Sequence, residues 1–143
     1  MATNMVYSAD GVKFLSLYVG DDVLSGTPVR VGGIVGVTQT DSLGGLAANG
    51  MHSSQEEGWA TVATRGSAHV PVAVTSGQAV ASGASGTAVY IDDDGKLSLV
   101  APTPADGDDP AVNEDHILFG YVLDDELLEG TASRVHVVIA ARV

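Results

Sequence analysis

The stretch RVHVVIAARV, residues 134–143, puts Val135, Val137, Ile139, Ala141 and Val143 on one side of an extended chain and Arg134, His136, Val138, Ala140 and Arg142 on the other. Side chains alternate sides along a strand but return every 3.6 residues along a helix, so this spacing predicts a half-buried β-strand. The same alternation recurs between turn residues. Lys13 to Val19 sets Leu15, Leu17 and Val19 against Phe14, Ser16 and Tyr18. Trp59 to Arg65 sets Trp59, Thr61, Ala63 and Arg65 against Ala60, Val62 and Thr64. Ala68 to Thr75 sets Ala68, Val70, Val72 and Val74 against His69, Pro71, Ala73 and Thr75, and Pro71, lacking an N–H, predicts an edge or bulged strand there.

Three further segments complete the pattern. Pro28 to Thr40 reads as one strand, bent or bulged at Gly32-Gly33. Ile117 to Leu123 is apolar on both faces apart from Gly120, which predicts a central strand. YIDDDGKLSLV, residues 90–100, places Asp94-Gly95 between two strand-like runs, the residue pair of a two-residue type I′ hairpin. A calcium loop fails there: with Gly95 at the sixth position, Tyr90 falls first and Ala101 twelfth, so the bidentate glutamate is missing. About eight short strands with glycine turns imply an all-β fold, a small single-domain β-sandwich or barrel with long loops and little helix.

Residues 1–12 are expected to form an N-terminal arm and 13–143 a single β domain, with long loops at 41–58 and 101–115. DDELLE, residues 124–129, is the main helix signal, good for one or two turns before Gly130. At 143 residues the chain can bury roughly two thirds of its unfolded surface. It has 18 glycines, no cysteine and only 5% aromatics, so the core must be built from small β-branched side chains without disulfides. A weak core of this kind favours gaining stability from neighbouring chains.

The formal charge of −12 argues against nucleic-acid or anionic-membrane partners, which need a basic surface. Residues 66–91 carry no Asp, Glu, Lys or Arg, but their glycine, serine and proline make a poor membrane span. Met1 to Asp10 lacks the basic start and apolar run of a secretory leader, so synthesis in the cytoplasm is expected.

Chemistry is sparse. His52, His69, His116 and His136 stand apart in sequence without metal-ligand spacing, and no metal or cofactor is expected. No G-x-S-x-G elbow or P-loop is present, and the acid pairs Asp21-Asp22, Asp108-Asp109 and Asp124-Asp125 cannot be placed across a cleft from sequence, so the chain is read as not an enzyme. Trp59 is the residue that stands out, because alternation sets it with Arg65 on a polar face, and a solvent-facing Trp needs cover. Its own preceding loop could supply that cover, or a second subunit or docking partner, for which Trp and Arg are favoured anchors.

Four blocks carry a resemblance: VRVGGIVGVTQTDS, GWATVATRGSAHVPVA, SGTAVYIDDDGKLSLV and HILFGYVLDDELLEGTASRVHVVIA. In order and spacing they resemble a family of small tailed-phage proteins encoded beside the major capsid protein, described as head decoration or capsid cement proteins. The resemblance runs from about Pro28 onward, and the inserts at 41–58 and 101–115 depart from it. It implies a non-enzymatic protein on the capsid exterior of the virion, with the major capsid protein as partner. A homo-oligomer is expected, a trimer first because capsids offer threefold positions. Candidate subunit or capsid contacts are Trp59, Arg65 and the arm residues Met1, Ala2, Thr3, Asn4 and Met5. The competing readings are an adhesive or carbohydrate-binding β module on a virion or cell surface, and a small hydrolase.

Overall fold

The computed structural model describes residues 14–42, 57–74, 86–123 and 132–140. These form nine strands and no helix: β1 (Phe14–Tyr18), β2 (Pro28–Val31), β3 (Ile34–Thr38), β4 (Trp59–Ala63), β5 (Ser67–Ala73), β6 (Ala88–Ile91), β7 (Leu97–Ser98), β8 (Ile117–Val122) and β9 (Ala132–Ile139). They make an open four-stranded sheet in the order β1-β4-β3-β2 and a closed barrel in the order β5-β7-β6-β8-β9. The fold is therefore all-β, as the alternation predicts. The helix expected at 124–129 and the arm at 1–12 lie outside the described residues.

One expected strand is two. Val31 pairs with Ile34 and Gly32 has φ +61°, so Gly32-Gly33 is the two-residue loop of a β2–β3 hairpin instead of a bend within a single strand. A glycine at the first central position is the signature of a tight II′-type connection. The Asp94-Gly95 expectation also needs correction. Gly95 has φ +82° but Asp94 is not left-handed, Gly95 N–H donates to the Asp92 carbonyl at 3.1 Å, and Asp92 N–H donates to the Lys96 carbonyl at 3.1 Å. The connection is a three-residue loop, an ordinary turn followed by a left-handed glycine, not a type I′ pair. Asp92 stiffens it, its Oδ1 accepting from the N–H groups of Asp94 and Lys96, both at 2.9 Å.

The barrel is sealed unevenly. β5 and β9 run antiparallel in continuous register from Ser67↔Val138 to Ala73↔Ala132, whereas β5 meets β7 through the single parallel pair Ala73↔Ser98. Pro71 pairs with Arg134 on the β9 side without a bulge, and on its other side β7 reaches β5 only at Ala73. The missing N–H thus falls where little ladder exists to lose, which is how a proline is tolerated in a closed sheet.

β8 is central, between β6 and β9, as its two apolar faces predict. Its register against β6 slips between Val89 and Tyr90, which pair with Gly120 and Leu118 and leave Phe119 as the extra residue. Among the described residues it is the largest fully buried side chain, and it shares one apolar cluster with Ile91, Val70, Val72, Val89, Val122 and Val137. A β-carbon on Gly120 would collide with the Val138 carbonyl, so β8 can approach β9 at this bulge only as glycine.

The sheet joins the barrel through β3, whose Val35 and Val37 enter the same apolar cluster. Arg30 on β2 adds a polar tie. Its Nη1 lies 3.0 Å from Asp93 Oδ1 and also donates to the Asp115 carbonyl, and its Nε donates to the Gly32 carbonyl at 3.1 Å. The connection through residues 19–27 is laced to β3 and its extension by hydroxyls: Thr38 Oγ1 donates to the Leu24 carbonyl at 2.7 Å, and Ser42 Oγ to the Gly20 carbonyl at 2.6 Å. These bonds explain why Thr38 and Ser42 can be buried. The expected loop at 101–115 is an exposed hairpin-like excursion, bridged at Thr103↔Val112 and Asp106↔Asp109.

Candidate functional surface

Trp59 lies at the start of β4, opposite Tyr18 of β1. Their rings meet edge to face with centroids 6.1 Å apart, an aromatic geometry that favours the pair beyond simple burial. The register Phe14↔Ala63, Ser16↔Thr61 and Tyr18↔Trp59 puts all six residues on one face of the sheet. Toward the Ala63 end this face is covered by the barrel, since Val37 pairs with Ala63 and both are fully buried. Along β1 it is open: Phe14 is 50% and Tyr18 56% exposed. Gly58 shapes the rim, because a β-carbon there would run into the Tyr18 ring.

The face that carries Trp59 is thus aromatic, where sequence alternation suggests a polar one, and Trp59 is partly covered by Tyr18. Arg65 is not brought to it. β4 ends at Ala63, and Arg65 sits exposed in the connection to β5, so the alternation that groups it with Trp59 stops two residues short. Met1, Ala2, Thr3, Asn4 and Met5 lie outside the described residues. Tyr18 and Phe14 are the members of the patch that sequence reasoning left out, and the signal was present: FLSLY has apolar residues at both parities of an uncharged strand, so one set must face outward.

His69 and His136 are brought together across β5 and β9, ring centroids 3.4 Å apart and tilted by 39°. His116 is structural: its Nδ1 donates to the Val100 carbonyl at 2.7 Å, beside the left-handed Asn113 that closes the 113–116 turn. His52 lies outside the described residues. Among the described residues no three His, Asp or Glu side chains gather as a metal site, and no helix is long and apolar enough to cross a membrane.

A groove of about 340 Å³ runs between the sheet and the barrel, lined by Thr27, Pro28, Pro71, Ala73, Gly95, Lys96 and Leu97. Among the described residues Lys96 is the single ionisable one that lines it. Beside it, a space of about 180 Å³ brings in Arg30, Asp93 and Asp94, but Arg30 and Asp93 are already paired there with each other.

The described residues thus form a small all-β unit with closed apolar packing and an open sheet edged by exposed aromatics. The phage cement protein family matches residues 13–139, and the chain belongs to that family. No curated protein matches the chain, and no solved structure does. Family membership carries with it a capsid-associated, stabilising role in the virion.

Proposed function

We propose that this chain is a head decoration protein that binds the outer surface of the capsid lattice and holds neighbouring capsid subunits together against the pressure of packaged DNA. The family match over residues 13–139 carries this reading. The charge of −12 supports the exterior location, because an acidic coat facing packaged DNA would meet phosphate repulsion. Binding is to the major capsid protein, by a symmetric homo-oligomer of which a trimer is the first form to test. Many copies then turn individually modest contacts into a firm clamp. Residues Met1 to Asp10 act as an arm that orders on the shell, and Trp59 and Arg65 belong to the contacts made on binding.

Mixing purified protein with expanded, undecorated capsids of the cognate phage and counting bound copies tests this directly. Saturation at a fixed number of copies per capsid, with DNA retained to a higher temperature, is the expected result. Unsaturable or absent binding would remove it. The rival adhesive or carbohydrate-binding reading draws on the exposed Tyr18 ring beside Trp59, a surface on which a sugar ring could stack. Glycan binding by a protein indifferent to capsids would favour that reading.

A further inference from the structure

The two ends of the open sheet are not alike. At one end β2 carries Pro28 and Arg30, a missing donor and a charge, two of the devices by which sheets keep foreign strands from pairing with them. At the other end β1 carries Phe14, Leu15, Ser16, Leu17 and Tyr18, with no proline, no charge and an unbroken register to β4 from Phe14↔Ala63 to Tyr18↔Trp59. Among the described residues nothing pairs with its outer side. An uncharged, unbulged edge with half-exposed aromatics is a template for another strand.

We infer that the outer edge of β1 is where an extended, uncharged strand of the capsid shell protein adds to the four-stranded sheet. This rests on the capsid-binding reading above and says which surface does the binding. Backbone N–H and C=O groups along the edge supply the ladder, and alternate side chains of the incoming strand lie against Phe14, Ser16 and Tyr18 on one face and Leu15 and Leu17 on the other. On the half-buried side, against Leu15 and Leu17, a charged residue of that strand would be desolvated without a partner, so the incoming segment is uncharged at those positions. Size decides between the shell and a second copy of this chain. One added strand on a five-residue edge hides far less than the roughly 1,200 Å² that a stable complex buries. Such a contact is weak for two free molecules and strong where a lattice presents many of them at once.

The test is capsid binding by Ser16→Lys, which puts a charge on the exposed face of β1 without touching the buried residues. Phe14→Lys serves as a second edge variant, Tyr121→Lys on the barrel exterior as a control, and a chain lacking residues 1–12 as a test of the arm. Wild-type protein binds expanded capsids, both edge variants bind at least about tenfold more weakly with unchanged circular dichroism and urea midpoint, and Tyr121→Lys binds normally. Failure of wild type to bind refutes the capsid reading itself. Normal binding by folded Ser16→Lys and Phe14→Lys overturns the inference alone, as does loss of binding confined to the chain lacking 1–12. Capsid-free dimerisation that Ser16→Lys abolishes would give the edge to a second copy and overturn it too.

Discussion

The barrel and the open sheet are built from similar small apolar strands, yet one turns them inward and the other leaves some of them facing out. In the barrel each strand has a neighbour on either side, and Val70, Val72, Val89, Ile91, Phe119 and Val137 close over one another. Among the described residues β1 has β4 on one side only, and Phe14 and Tyr18 stay half exposed although both are larger than the barrel valines. Having a neighbour strand on both sides, not side-chain hydrophobicity alone, separates core from edge: on the interior strands of the same open sheet Val37 and Val62 are fully buried. An unclosed apolar edge is what a binding protein has left to offer a partner.

If the barrel carries the stability and the sheet the binding, substitutions should divide along that line. Phe119→Ala removes the largest fully buried side chain and should cost about 3–5 kcal/mol, read from the urea midpoint. A smaller loss would mean that the barrel collapses around the hole and is less tightly packed than its burial suggests. Gly120→Ala forces a methyl group against the Val138 carbonyl and should cost about 1–3 kcal/mol, with the damage visible as faster amide exchange in β8 and β9. Arg30→Gln cuts the tie between the regions. Because Asp93 is largely exposed, most of the effect comes from the bond to the Asp115 carbonyl, and about 1 kcal/mol is expected. Hydrogen exchange should then quicken in the β2–β3 hairpin before the barrel; uniform quickening would show that Val35 and Val37, not Arg30, join the two parts. Ser16→Lys should shift stability by no more than about 0.5 kcal/mol while weakening capsid binding, the sharpest separation of the two regions.

Much of the architecture was legible in the residues. The period-two runs at 13–19, 59–65 and 68–75 overlap the strands at 14–18, 59–63 and 67–73, and the two-sided apolar run at 117–123 overlaps the central strand at 117–122. The misreadings share a cause. Gly32-Gly33 and Asp94-Gly95 were assigned from residue identity, but whether a glycine pair bends one strand or joins two depends on what pairs with Val31 and Ile34. Likewise Asp94 stays right-handed because Asp92 bonds its N–H, a choice made by the whole 92–96 loop. At the surface, Trp59 was visible as an anomaly, whereas its partner Tyr18 stands forty-one positions away and meets it only through the β1–β4 register. Arg65 was grouped with Trp59 by extending an alternation past the end of its strand.

What the chain determined unaided is its strand character, its thin valine-rich core and its acidic, cysteine-free surface, because periodicity and composition act within a few residues or sum over all of them. What only the tertiary structure decided is which strands close and which remain edges: the joining of β5 to β9, the meeting of His69 and His136, and an outer side of β1 that no described strand pairs with. Those outcomes depend on pairing between segments far apart in sequence, where the free energy of one register over another comes from many contacts at once and no local pattern encodes it.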